Sequence, residues 1–296
     1  MGLIFYRYPM KVLRLSFLVF SSLLLSSGLL RAEELVVAGY KISVQALGEH
    51  PGAFRTLRSE LQILRAGKKL LELRGGSFVP GTRSVDPAQL KFTKPGTDVN
   101  GNGIPDLVVA EYTDGGDCCM TLHVFELGKK FRKLATIDTR FDLEPQFLEI
   151  PGSSARGYRT HDYTFGGWGG EGFSVPAPTV YLRFTNDGVV LDVSRMKKAA
   201  PSDEVLRERA QVALRALSKI EASHSGQDLP LALINPVLEL IYSGNAELLP
   251  RFLEWSWPPG RGGRQEFLSA VQRQLQKSPY AKWLATSNLG ANQPAI

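Results

Sequence analysis

The spacing of apolar positions along the chain changes once, from every second residue to every third or fourth, and the change marks two kinds of structure. From Glu33 to Leu47, Val36, Ala38, Tyr40, Ile42 and Val44 alternate with their neighbours, which predicts a first strand. Leu61 to Arg65 and Lys69 to Leu73 follow as two short strands joined through Ala66, Gly67 and Lys68. The same hairpin recurs twice. Leu122 to Leu127 and Phe131 to Ile137 flank Gly128, and Val180 to Phe184 and Val189 to Val193 flank Asn186, Asp187 and Gly188. The turn glycines Gly67, Gly128 and Gly188 are 61 and then 60 residues apart, a spacing that suggests an internal repeat.

From Pro201 the period lengthens. Ser202 can cap a helix in which Leu206, Ala210, Ala213, Leu217 and Ile220 share one face, and Gly226 to Pro230 breaks it. Pro236 to Tyr242, Asn245 to Trp255 and Gly263 to Gln276 read as short helices, separated by Ser243-Gly244 and by Pro258-Pro259-Gly260. Leu238, Ile241, Leu248, Phe252, Trp255, Phe267, Val271, Leu275 and Trp283 supply the core of a small helical unit. The expected fold class is therefore α+β, with a β-rich part at 33–200 and an α-helical C-terminal part at 201–296.

Residues 1–32 belong to neither part. Arg7, Lys11 and Arg14 precede an apolar run from Leu15 to Leu30, with the small residue Ala32 just before the acidic pair Glu33 and Glu34, which predicts a secretory signal peptide cleaved after Ala32. Removing it takes four basic residues and no acidic ones from the formal charge of +6, leaving +2 on 264 residues. Lysines and arginines of the remainder are interleaved with carboxylates, so nucleic acid is not expected as a partner. The expected location is periplasmic or secreted, with no stable membrane anchor after cleavage.

Between the first and second hairpins lies Asp98-Val-Asn-Gly-Asn-Gly-Ile-Pro-Asp106, followed by the apolar run Leu107, Val108, Val109. Oxygen-bearing side chains at Asp98, Asn100, Asn102 and Asp106, with the backbone carbonyl of Ile104, are spaced to wrap a hard cation, and Gly103 supplies the sharp turn. The other reading is an Asx-rich turn whose side chains cap their own backbone. Two charged ligands imply weak, structural Ca2+ binding of about 10⁻⁴ to 10⁻³ M.

This loop resembles the calcium loop of FG-GAP or VCBS-type repeats, the units of integrin-alpha-like β-propellers. The stretches YTDGGDCC at 112–119, DYTFGGW at 162–168 and PAPTVYL at 176–182 are similar to those of a group of secreted bacterial proteins carrying such repeats. The resemblance spans Asp98 to Lys197 and implies a β domain of propeller-blade-like repeats that works by binding or as a structural module. It places a second loop at Glu149 to Gly157, where Pro151, Ser153 and Ser154 occupy positions that carboxylates or amides would fill. Residues 33–201 have room for about three blades against the four or more of a closed propeller, so an incomplete propeller or a sandwich is expected.

Cys118 and Cys119 are the only cysteines. Outside the cytoplasm they are expected to form a vicinal disulfide; the alternative is a nucleophile or redox pair with His123 as base. His50, His123, His161 and His224 show no metal-binding spacing, and His161-Asp162 is at most half of a catalytic triad. In the glycine-rich loop FGGWGGEGF, Phe165, Trp168 and Phe173 either offer an aromatic platform to a sugar or peptide or tuck beneath the loop. The leading expectation is a non-catalytic calcium-binding module whose partner is a protein or glycan. A periplasmic enzyme or thiol-redox protein using Cys118 and Cys119 is the competing one.

Overall fold

The computed structural model describes residues 33–49, 57–81, 93–115, 118–142, 146–168, 175–220 and 229–286. The expected signal segment at 1–32 lies outside them.

Among these residues twelve strands make three antiparallel sheets, each a meander of four strands in chain order. The first holds β1 (Glu33–Val37), β2 (Tyr40–Glu49), β3 (Leu57–Arg65) and β4 (Lys68–Gly75). The second holds β5 (Ser77–Pro80), β6 (Asp106–Gly115), β7 (Cys118–Leu127) and β8 (Phe131–Arg140). The third holds β9 (Gln146–Glu149), β10 (Arg156–His161), β11 (Thr179–Thr185) and β12 (Gly188–Leu191). Gly67, Gly128 and Gly188 all fall where the third strand of a sheet turns into the fourth. No closed propeller is formed by the described residues.

The strand expected at Glu33 to Leu47 is in fact a hairpin. Ala38 and Gly39, at φ +50° and +79°, form a two-residue turn between Val37 and Tyr40. Apolar alternation runs on through that turn, and an alanine is an unusual residue for the left-handed conformation, so Gly39 is the only compositional mark of the break.

Alternation along β6 sends its side chains into two cores. Leu107 and Val109, with Phe78, Phe125 and Leu127, pack against Tyr40, Ile42, Leu61 and Ile63 of the first sheet. Val108 and Ala110, with Leu122 and Val124, join the core that includes Tyr158, Val180, Leu182 and Phe184 of the third sheet. The second sheet is thus covered on both faces, which is why β6 reads as a continuous apolar run. The Tyr40 hydroxyl pins the first two sheets together by donating to the Gly128 carbonyl at 2.7 Å.

The second core continues into the helices: α1 (Val193–Met196), α2 (Asp203–Leu217), α3 (Leu231–Tyr242), α4 (Leu249–Ser256), α5 (Arg264–Leu275) and α6 (Ala281–Thr286). Secondary structure changes near residue 200, but one core crosses that point. Ser202 caps α2 as expected, accepting from Val205 N at 3.3 Å, and Leu206, Ala210, Ala213 and Leu217 are buried. Helix α3 begins five residues before the expected Pro236 and carries that proline inside it. A proline there costs about 3 kcal/mol, which burial of Leu233, Ile234, Val237, Leu238 and Ile241 at about 1.5–3 kcal/mol each outweighs. No helix among the described residues is long and apolar enough to cross a membrane.

Candidate metal centre

The Asp98 to Asp106 loop leads into β6 and turns at Gly101 and Gly103, whose φ values of +76° and +82° suit glycine. Its side chains are drawn in to its own backbone. Asp98 Oδ1 accepts from Gly101 N at 2.7 Å and Asn102 N at 3.2 Å, and Oδ2 accepts from Gly103 N at 2.7 Å. Asn100 Oδ1 accepts from Asn102 N at 3.1 Å, and Asn102 Oδ1 accepts from Ile104 N at 2.8 Å. These are Asx turns; Asp98 Oδ1 already takes two donors, while Asp98 Oδ2 and the Oδ1 atoms of Asn100 and Asn102 take one each and keep a further lone pair.

Asp106 is different. It is 1% exposed, its Oδ2 accepts from Val99 N at 2.8 Å, and its Oδ1 is buried with no partner. Burial pushes this carboxyl up to about 6; Asp98 and Glu126 add to the effect, while the backbone N–H groups of Val99 and Asn100 oppose it. Glu126 sits directly opposite on β7, 6% exposed. It accepts from Asn102 Nδ2 at 2.7 Å and from Arg132 Nη2 at 2.9 Å. Burial raises its carboxyl, but Arg132 and Asn102 outweigh burial and hold it below the usual range. Asn100 Nδ2 is also buried without a partner.

The loop lies against the third sheet. Arg156 N donates to Val99 O at 2.7 Å, and Ser154 Oγ donates to Gly101 O at 3.1 Å. The stretch expected to carry a second loop, Glu149 to Gly157, is the β9–β10 turn that buttresses the first. Among the described residues no three His, Cys, Asp or Glu side chains gather as a metal cage. The loop's own donor set is instead two aspartates, two asparagines and the Ile104 carbonyl. Those hard oxygens are of the kind calcium takes, and the Asp106 Oδ1 among them is buried and without a partner among the described residues.

The other candidates fall elsewhere. Cys119 is disulfide-bonded, and the chain's only other cysteine is Cys118, whose side chain lies outside the described residues. Cys119 and His123 are four residues apart on β7, so the strand rise separates them by about 13 Å. His123 is occupied besides, with Nε2 against Glu111 at 2.8 Å, and no thiol–imidazole pair is present among the described residues. His161 bonds through Nδ1 to Asp142 at 2.8 Å, not to the adjacent Asp162. His50 and His224 lie outside the described residues.

Phe165 and Trp168 do not stand as an exposed platform. They are 0% and 8% exposed, meet edge to face at 5.2 Å, and Trp168 lies 6.4 Å from Phe267 of α5. The short 3₁₀ turn Tyr163–Phe165, capped by Asp162, folds these rings into the second core. Phe173 lies outside the described residues. Sequence reasoning missed Glu126 and Arg132, which only strand register brings to the loop, and Asp142.

The chain matches no protein-family model, no curated protein and no solved structure.

Proposed function

We propose that this is an exported, non-catalytic binding or structural module whose three blade-like sheets are clipped by a weakly held calcium ion at Asp98, Asn100, Asn102, Ile104 and Asp106. The observation that carries the reading is the buried, unpartnered Oδ1 of Asp106 opposite a second buried carboxylate. A divalent ion there would satisfy the orphan oxygen and offset charge that Arg132 leaves uncompensated. The ion would tie the entry of β6 to the turn of the next sheet through the Val99 and Gly101 carbonyl contacts, and so act as structure. Blade-like repetition is supported by three four-stranded meanders with their turn glycines at matching places.

Calorimetric titration with calcium tests the clip. Wild type should bind with a Kd of about 10⁻⁴ to 10⁻³ M, and Asp98→Ala and Asp106→Ala should give flat traces. A flat trace for the folded wild type, or binding unchanged in both variants, would sink the proposal.

A further inference from the structure

A cleft of about 340 Å3 opens where the ends of β8 and β10 meet the connection between α5 and α6. Asp138, Arg140, His161, Tyr163, Lys277 and Tyr280 line it. The two carboxylates that shape it are already spent. Asp142 holds His161 Nδ1 and also accepts from Thr160 Oγ1 at 2.7 Å, His161 N at 3.0 Å and the Tyr163 hydroxyl at 3.1 Å. Asp162, 1% exposed, accepts from Thr164, Ser278 and, at 2.6 Å, the Tyr242 hydroxyl.

What remains unspent belongs to the lining. With Nδ1 committed, His161 keeps Nε2, which has no partner among the described residues. Lys277 makes no ion pair there, and Arg140 reaches only the exposed Asp138 at 3.5 Å. Arg140 also adopts a left-handed backbone at φ +42°, uncommon for a residue of its size. Tyr280 is 6% exposed and is one of the residues that line the cleft. Phe141, one of the few exposed large apolar side chains at 37%, adjoins the cleft through the lining residue Tyr163, the two rings meeting near-perpendicular at 5.1 Å.

We infer that this cleft binds a small neutral saccharide, its hydroxyls bonded by Asp138, Arg140, His161, Lys277 and Tyr280 and its ring resting on Phe141. Donors and acceptors stand side by side, as a hydroxyl-rich ligand requires, and an exposed aromatic ring beside them suits the C–H surface of a sugar. The volume is that of a small-ligand site. Charge decides against the alternatives. Asp138 and Asp162 line the cleft together with Arg140 and Lys277, so an oxyanion meets carboxylates as well as cations. A cation meets Arg140 and Lys277. The inference rests on the reading of the protein as a binding module and supplies its ligand class.

The test is saturation-transfer NMR and calorimetry on the mature chain with glucose, galactose, N-acetylglucosamine and their disaccharides, with acetate and inorganic phosphate as the anionic arm. At least one neutral sugar should bind with a Kd near or below about 1 mM. Lys277→Ala and Phe141→Ala, both at exposed positions, should each weaken it about tenfold without moving the melting temperature. No sugar bound at about 10 mM, equal affinity in both variants, or acetate or phosphate bound in preference would overturn it. Sugar that binds and is then chemically altered supports the cleft and overturns the non-catalytic reading. Sugar binding in a protein that ignores calcium supports the cleft and overturns the clip.

Discussion

Asp106 and Glu126 face each other across β6 and β7, both buried, on the side of the second sheet that meets the third. Like charges directly opposite in a sheet destabilise it, and here neither is in water. Arg132, next in the same row on β8, bonds Glu126 and leaves the Oδ1 of Asp106 alone. One charge of the pair is therefore met by a cation among the described residues and the other is not.

Replacing that other charge separates the cost of the site from its use. Asp106→Asn keeps the shape and the acceptor for Val99 N while removing the buried charge, so at pH 7 the chelated protein should gain about 1–3 kcal/mol. Wild type should gain stability from added calcium, about 2.7 kcal/mol at a hundredfold excess over Kd, and the variant almost none. Urea denaturation with and without chelator reads both. A variant less stable than wild type in chelator would show that Asp106 is already satisfied.

The same carboxyl predicts a pH dependence. Its folded value of about 6 lies above its ordinary 3.8, so the folded state binds the proton more tightly and stability from this group falls as pH rises between about 4 and 6. Above that window the ionised group costs about 3 kcal/mol. Asp142, Glu111 and Glu126, held below their usual range, act in the opposite direction as pH falls. The measurable quantity is thus the difference between wild type and Asp106→Asn in chelator, which should shrink from pH 7 to pH 4.5. A difference independent of pH would contradict the raised value.

Where the chain was legible, its signals were local. Two-residue spacing placed the strands, the glycines at 67, 128 and 188 placed three turns, and the Ser202 cap with its four-and-three pattern placed α2. The loop from Asp98 to Asp106 was visible because all of its parts are contiguous. Glu126 was not, since it lies twenty residues beyond Asp106 and becomes its neighbour only through the register of β6 and β7. The proline within α3 was hidden for a related reason, packing from elsewhere overriding a local preference, whereas the hairpin at Ala38-Gly39 was hidden by apolar alternation that runs on through its turn. Phe165 and Trp168 in a glycine-rich stretch gave no sign of burial, because the surface that covers them arrives a hundred residues later with Phe267.

The buried Asp162 ties the third sheet to the helices, and Tyr242→Phe measures how strongly. Tyr242, 4% exposed at the end of α3, donates to Asp162 Oδ2 at 2.6 Å, and Ser278 donates to the same oxygen. Removing one donor from a buried carboxylate should cost about 1.5–3 kcal/mol, or roughly 4–8 °C in Tm. The ring stays and leaves no large cavity, so a Tm within about 1 °C of wild type would mean that the charge is met by water or by its other donors.

Gly101 is a position where the loop packs tightly on the next sheet, and Gly101→Ala tests whether that approach matters. A Cβ there would lie 2.5 Å from Ser154 Oγ and 2.6 Å from the backbone nitrogen of Ala155, and φ is +76°. The left-handed backbone alone costs an alanine about 1–2 kcal/mol, and the overlap adds about 1–3 kcal/mol because a backbone atom cannot rotate away. If the loop clips the two sheets together, pushing the β9–β10 turn aside should also weaken calcium binding, since Arg156 N and Ser154 Oγ hold Val99 and Gly101 in place. Gly103→Ala provides the comparison: φ is +82°, but nothing lies within 4 Å of the added carbon. It should show the backbone cost without the steric one. Equal losses of stability in the two variants would mean that the turn yields freely to the loop.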